Sequence, residues 1–530
     1  MIEITHKDLL GRITKFRTKT GIVETPIFLP VVHPTRVLIP PRTMFSEFNC
    51  KAIITNAYLL SKAANEGVLH EILDYPGVIM TDSGAYQLLI YGDVEITPDQ
   101  IIEFQEKIES DIAVILDVPT GGHSTYEEAS KTVDETLRRA KASSSLRTRK
   151  DILWVGPIQG GTYPDLVAKS AKEVSKLDFS IFAIGSPTQL MEQYHFDKLV
   201  ELVMTAKRNI PHNKPVHLFG AGHPLIFPLI VAMGCDMFDS AAYALFARHD
   251  RLLTPTGTYR LQEIHEQFCT CPSCSKFTIS EIKRLEKNAR IRVLAEHNLR
   301  ICQNEIVRIK QAIREGRLWR LVESRISSHP AMVDAMQKMI SYPKIFEQLS
   351  PVTKKRAIFI TSKWSLFQPE IYRHNNRISE YSPPKTNRKE LLLFSAPSNR
   401  PYHFSMEYKR FRALYLQMNS CTSISIDILF LCPYLGLVPL ELTNTYPLAQ
   451  NEIPKSFQIE DSSHLLKQLF RYIQHNQQYS NVYGLFQPNT YWRTFSNRCR
   501  KKFEKIGKTC LFFQTDFTTE SLKTIVEKIG

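Results

Sequence analysis

Seven short apolar runs punctuate the first 250 residues: KAIITNAYLL, GVIMTDSG, DIAVILDVPT, ILWVGPIQGG, FSIFAIGS, PVHLFGAG and CDMFDSAAYALFA. Near-continuous apolar runs of this length, separated by amphipathic stretches, read as parallel strands buried on both faces. The intervening helices carry start signals. Thr97-Pro98-Asp99-Gln100 is a capping box with proline at the first helical position, and Ser124 with Glu127 forms a second box. Asp82, Asp117, Gln159, Ser186 and Asp239 each close one of these runs. In a (β/α)8 barrel all strands point one way, so residues at their carboxyl ends meet at one mouth. A doubly wound open sheet also collects ligands at strand ends, but only around a switch point. A polar site fed by many strands favours the closed barrel.

Asp82 and Asp239 suit displacement at a sugar anomeric carbon. One carboxylate attacks C1′ or stabilises an oxocarbenium-like state while the other shuttles protons to and from the departing group. Strand-end aspartates are common, so the pair alone does not decide the chemistry. Tyr86 and Phe219 lie at strand ends too and could sandwich a flat heterocycle, or simply pack the barrel rim.

Cys269, Cys271 and Cys274 form a C-x-C-x2-C cluster, and 22 residues separate Cys274 from His297. Three thiolates and an imidazole complete a tetrahedral zinc shell with no open position, which makes the metal structural. His265 competes as fourth ligand. The other seven of the ten cysteines are scattered, and no disulfide framework of the secreted type is visible.

A chain of 530 residues is too long for one core. The N-terminus lacks a basic-then-apolar leader, and the longest apolar stretch, 424–440, is broken by Ser425, Asp427, Pro433, Gly436 and Pro439. A cytoplasmic protein with no membrane span is expected. The net charge of +14 points to a polyanionic partner, nucleic acid first. Basic clusters lie at Arg138, Arg139, Lys141, Arg147, Arg149 and Lys150, and at Arg493, Arg498, Arg500, Lys501, Lys502 and Lys505.

MTDSGAYQ (80–87), LDVPT (116–120), IQGG (158–161), FGAGHP (219–224), FDSAAYALFARHDRLLTPTGT (238–258) and the cysteine–histidine set occur in this order. Together, over roughly residues 1–345, they resemble the tRNA-guanine transglycosylases, the archaeal branch in particular. The resemblance implies a zinc-containing TIM barrel that exchanges a base in tRNA. Archaeal enzymes of this kind replace guanine at position 15, in the D-loop, with 7-cyano-7-deazaguanine (preQ0), a step of archaeosine biosynthesis. Carried over motif by motif, Asp239 becomes the nucleophile at C1′ and Asp82 the general acid/base. Asp117 and Gln159 would read the base edge, Ser186 would lie near the 7-substituent, and Tyr86 with Phe219 would stack on the ring. Many family members carry phenylalanine where Tyr86 stands. One structural zinc ion per chain and a homodimer are also implied.

After about residue 320 the pattern becomes mixed and proline-punctuated. The expected division is a barrel over 1–325 with the zinc site at 269–297, a first accessory domain over 326–385, and a last domain over 386–530. These C-terminal domains are expected to be smaller and α+β. A charged stretch, Tyr381–Lys389, looks like a linker. LLLFSAPSNRPYHFSMEYKRF and the segment 428–454 resemble the core domain of archaeosine synthase. The signature of active synthases is P-C-x3-K-P-Y-x2-S-x2-H. Here the positions read Ser395, Ala396, Arg400, Pro401, Tyr402, Ser405 and Tyr408. An arginine stays protonated and cannot replace the nucleophilic lysine, so amidine formation is not expected here. Residues 490–530 read as a basic segment and a short helix, with no recognisable PUA pattern. A separate PUA-type or archaeosine synthase chain could therefore assist. Two other functions compete with the transferase: a non-catalytic tRNA-binding subunit, and a transglycosylase acting on another base or nucleic acid.

Overall fold

Strand parity organises the first half of the chain. A computed structural model describes all residues except 1, 64–66, 86–95, 385–387, 455–458, 460 and 530. It divides into two compact units, Met1–Pro351 and Val352–Gly530. The first opens with an antiparallel sheet of β1 (Ile2–Asp8), β2 (Gly11–Arg17) and β3 (Ile22–Glu24). Eight parallel strands follow: β4 (Ile27–Pro30), β5 (Ala52–Asn56), β6 (Val78–Asp82), β7 (Ile112–Val114), β8 (Leu153–Ile158), β9 (Ile181–Ile184), β10 (Val216–Leu218) and β11 (Met237–Ser240). Their order is β4-β11-β10-β9-β8-β7-β6-β5. The two ends meet at a parallel bridge between Val31 and Ile54. There the Val32 N–H donates to the Ile54 carbonyl at 2.8 Å, and Thr55 Oγ1 donates to the Val32 carbonyl at 2.9 Å.

Seven strands coincide with the seven apolar runs. The eighth, β4, escapes that reading because proline brackets it: Pro26 precedes it and Pro30 ends it. Alternate residues of these strands, including Leu29, Ile54, Met80, Val114, Val155, Ala183 and Met237, pack into one interior cluster. Phe16 and Val23 of the N-terminal sheet join that cluster and fill the amino end of the barrel. A buried ion pair ties this sheet on: Arg12 Nε and Nη2 donate to the two carboxylate oxygens of Asp236, each at 2.8 Å.

The helix starts largely follow the sequence. The Thr97 N–H donates to Gln100 Oε1 at 3.0 Å, with Pro98 opening the helix Pro98–Lys107. The second box is shifted by one residue from its expected place. Thr125 and Glu128, not Ser124 and Glu127, cap the helix Tyr126–Leu146. Both registers satisfy the box pattern, and burial of Ala129, Val133, Leu137 and Ala140 against the barrel selects the second. After β11 come the helix Ala242–Arg248, the hairpin β12 (Arg251–Thr254) and β13 (Gly257–Arg260), and the long helix Lys287–Glu315. The helices Pro330–Met339 and Pro343–Leu349 belong to this first unit.

The second unit holds a five-stranded sheet, ordered β17-β16-β15-β19-β20. The parallel strands are β15 (Glu390–Ser395), β16 (Asp427–Cys432), β19 (Asn481–Phe486) and β20 (Thr509–Gln514), and β17 (Gly436–Pro439) runs antiparallel. A two-residue pair, β14 (Ile358–Phe359) and β18 (Asn451–Glu452), lies apart from it. Successive residues of β15 feed opposite faces: Leu392 and Phe394 one core, Leu391 and Leu393 the other. Sequence reading missed β20, which follows the helix Thr490–Lys505 and precedes the helix Thr519–Ile529. Its apolar run, Cys510–Phe513, is four residues long and only half-buried, and the basic helix before it dominates the local pattern. Tyr381, at the start of the expected linker, accepts at its carbonyl from Asn476 Nδ2 at 2.9 Å, and residues 385–387 of that stretch lie outside the described residues. In the segment compared above with the synthase signature, Ser405 accepts from the Tyr408 N–H as a helix cap, and Tyr402 is fully buried.

Candidate active site

The inward parity of each barrel strand decides which side chain reaches the mouth. In β6, Val78 and Met80 face the interior, so Asp82 does as well, one layer higher. The same count brings Asn56 up from Ala52 and Ile54, and Asp239 up from Met237. Asp82, Asp117, Gln159, Ser186, Phe219 and Asp239 all line one cavity of about 1080 Å³ at this end of the barrel. That volume is at the upper end for a small-molecule pocket and leaves room for more than a single free base. Tyr86, the other expected stacking residue, lies outside the described residues.

Hydrogen bonds give each polar group a distinct setting. Gln159 Nε2 donates to Asp117 Oδ2 at 2.5 Å, while its Oε1 accepts from the Thr120 N–H at 3.1 Å and from Ser186 Oγ at 2.8 Å. These contacts orient the amide, and a close approach of backbone permits them. A Cβ on Gly185 would stand 2.3 Å from Gln159 Nε2, so any side chain there would displace the amide from this position. Asp239 Oδ1 accepts from His217 Nε2 at 2.8 Å and from the Gly220 N–H at 3.2 Å. Asn56 Nδ2 donates to Asp82 Oδ2 at 3.3 Å.

Burial raises the pKa of Asp82 to about 7, and the negative fields of Asp117 and Asp239 add to it, against opposing backbone N–H bonds from Gly84 and Ser83. Burial also lifts Asp117 to about 6, against the opposing hydrogen bond from Gln159 and the Arg139 charge. A carboxylate titrating near neutrality can both give and take a proton at working pH. Sequence reading passed over His217 and Asn56, although both sit inside quoted runs (PVHLFGAG and KAIITNAYLL). The available signal was a polar residue at inward parity in an apolar strand.

Cys269, Cys271 and Cys274, after β13, and His297, on the helix Lys287–Glu315, come together with their ligand atoms all within 4.8 Å of one another. His297 Nδ1 lies 3.8 Å from Cys271 Sγ and 3.4 Å from Cys274 Sγ. Bond lengths of ~2.3 Å to sulfur and ~2.0 Å to nitrogen give tetrahedral edges of ~3.5–3.8 Å. The set therefore fits a structural zinc ion. His297 Nε2 donates to the Leu253 carbonyl at 3.0 Å, which leaves Nδ1 as the ligand atom. His265, the competing imidazole, is exposed and not part of the cluster.

A family model described as queuine tRNA-ribosyltransferase matches residues 8–331. A tRNA-guanine(15) transglycosylase of Methanococcus aeolicus is 43% identical over 472 residues, covering 86% of this chain and 69% of its own length. The enzyme of the same description from Methanocaldococcus jannaschii is 42% identical over 470 residues, with the same coverages. That of Pyrobaculum aerophilum is 42% identical over 458 residues, covering 85% of this chain and 90% of its own. The chain belongs to the tRNA-guanine transglycosylase family. A model described only as a domain of unknown function matches residues 371–529, in the second unit of this transglycosylase. Among the described residues, no helix is long and apolar enough to cross a membrane.

Two predictions follow from the electrostatics and the metal set of the transglycosylase barrel. Asp82 holds its proton more tightly folded than unfolded, so between pH 4 and pH 7 the folded state binds more protons and stability falls as pH rises. Asp82→Asn is expected to raise stability by ~1–3 kcal/mol at pH 8 and to leave it nearly unchanged at pH 4, measured by urea unfolding. Cys271→Ser, or chelation of the wild type, is expected to lower the melting temperature and release zinc. A zinc-free protein with unaltered melting would reject a stapling role.

Proposed function

We propose that the cavity replaces guanine at position 15 of tRNA with 7-cyano-7-deazaguanine through a covalent enzyme–tRNA intermediate. The observation that carries the reading is one pocket with two carboxylates in unlike settings: Asp239 held as an acceptor by two N–H donors, Asp82 titrating near neutrality. In the first step an oxygen of Asp239 forms a bond to C1′. The C1′–N bond to guanine breaks, its electron pair leaves with the base, and Asp82 supplies the proton that neutralises it. In the second step Asp82 takes the ring N–H proton of the incoming base, whose nitrogen bonds to C1′ and releases Asp239. Two inversions retain the configuration and restore both carboxyl groups.

Asp117 and Gln159 suit the Watson–Crick-like edge of the base. Asp117 keeps one oxygen free of Gln159, able to accept from the ring N–H and exocyclic amine. Ser186 would border the 7-substituent, and Phe219 would stack on the ring with Tyr86 as its expected partner. Zinc has no place in bond exchange, because its four protein ligands leave no open position. The relatives' printed description as tRNA-guanine(15) transglycosylases supports this substrate. The reading of a non-catalytic subunit is disfavoured by the presence of all three aspartates in the cavity. Cysteines unpaired throughout the chain suit a reducing cytoplasm. A homodimer and a helper chain of PUA or synthase type rest on family resemblance alone.

Asp239→Asn is expected to reduce exchange of labelled guanine into tRNA by at least ~10³-fold and to abolish the denaturant-resistant protein–RNA adduct, with folding intact. Wild-type exchange by this variant would remove Asp239 as the nucleophile.

A further inference from the structure

Formal charge is divided very unevenly between the two units. Residues 1–351 hold 42 Lys and Arg against 40 Asp and Glu, whereas residues 352–530 hold 25 against 13. Of the net +14, the second unit carries +12. The two basic clusters differ in the same direction. In the first unit, Arg138 and Arg139 pair with Glu135, Arg149 pairs with Glu109 and Asp151, and Arg147 lies over the Phe179 ring. In the second, the helix Thr490–Lys505 buries Trp492, Phe495, Cys499 and Phe503 and turns its cations outward. Among the described residues, Arg493, Arg500, Lys501 and Lys505 form no ion pair, and only Arg498 reaches a carboxylate, Asp461 at 3.7 Å.

We propose that this exposed helix face docks the phosphate backbone of the tRNA substrate. Arg493, Arg500, Lys501 and Lys505 recur at helical spacing on one side, and Glu504 is the only acid among them. The twelve helical steps from Arg493 to Lys505, at ~1.5 Å each, make a strip ~18 Å long, enough to follow several phosphates. Unpaired cations release counterions from RNA on binding, whereas cations already neutralised by carboxylates release few. The strip carries no aromatic or amide side chain aimed at solvent beyond Asn497, so it positions the RNA without reading sequence.

The test uses the full chain and unmodified tRNA. The variant Arg493→Gln/Arg500→Gln/Lys501→Gln/Lys505→Gln is expected to raise KM for tRNA by at least ~10-fold at 0.15 M salt. It should also flatten the slope of log KM against log salt by ~3, at 0.7–0.9 per phosphate contact. Glu504→Gln is expected to lower KM about twofold, a gain that misfolding cannot imitate. An unchanged KM and salt slope in the first variant, or no gain in the second, overturns the proposal. The proposal rests on tRNA being the substrate. A parent chain inactive on tRNA defeats that reading, while an active parent with an insensitive helix defeats only this one.

A separate observation concerns His217. Its ring is fully buried on β10 and its Nε2 bonds Asp239 Oδ1, yet among the described residues its Nδ1 has no partner. A carboxylate oxygen can only accept, so the hydrogen of this bond sits on Nε2. His217 and the Gly220 N–H both occupy Oδ1, and no described residue bonds Oδ2. We infer that His217 is a positioning residue that pins Oδ1, so that Oδ2 is the oxygen presented to C1′. His217→Leu is expected to lower kcat on the order of 10²-fold with KM for tRNA unchanged, and His217→Gln, which restores an N–H near Nε2, to recover most of it. Equal activity in all three, or equal loss in both variants, overturns the assignment. This inference rests on Asp239 as nucleophile. An active Asp239→Asn defeats that premise, whereas an inactive Asp239→Asn beside a wild-type-like His217→Leu defeats the positioning role alone.

Discussion

Barrel closure at the Val31–Ile54 bridge is the constraint on which the site depends. A closed set of parallel strands sends every second side chain toward one axis and every carboxyl end toward one mouth. Asp82 and Asp239 belong to strands separated by β4 and β5 across this closure. Without it they would sit near opposite edges of an open sheet. The N-terminal sheet supports the same geometry from below, through Phe16, Val23 and the Arg12–Asp236 pair.

The segment after β11 connects the candidate nucleophile to the metal set. Tyr243, four residues beyond Asp239, donates its hydroxyl to the Val31 carbonyl at 3.0 Å, at the closure itself. Asn298 Nδ2 donates to the Tyr243 and Arg251 carbonyls, and its Oδ1 accepts from the Leu253 N–H. His297, the adjacent residue on the same helix, bonds the Leu253 carbonyl. The cysteine–histidine set is thus a brace for the hairpin and helix that follow Asp239. Its energy goes into position, while the carboxylates pay in stability for being buried: Asp82 and Asp117 are held where ionisation is opposed.

Much of this was legible before any coordinates. The apolar runs announced parallel strands, the polar residues ending them announced a shared mouth, and the cysteine spacing announced a closed metal shell. Legibility failed where a signal was short or ambiguous. The strand β4 is four residues between prolines, the apolar run of β20 is only four residues long and follows a strongly basic helix, and two overlapping capping boxes left the start of Tyr126–Leu146 open by one residue. His217 and Asn56 carry no motif, since a single polar residue inside an apolar strand is also what a satisfied core residue looks like.

Local sequence determined the residue types, the strand and helix periodicities, and through them the family to which the chain belongs. Period-two alternation is a property of the backbone and survives in any parallel sheet, which is why the strand-end polar residues could be named. Only the tertiary structure decided which nitrogen meets which oxygen. Pinning Asp239 by His217, orienting Gln159 past Gly185, choosing His297 over His265 and leaving all but Arg498 of one basic cluster without a carboxylate among the described residues all depend on contacts between residues distant in the chain. Such contacts are set by packing in three dimensions, and no local pattern encodes them.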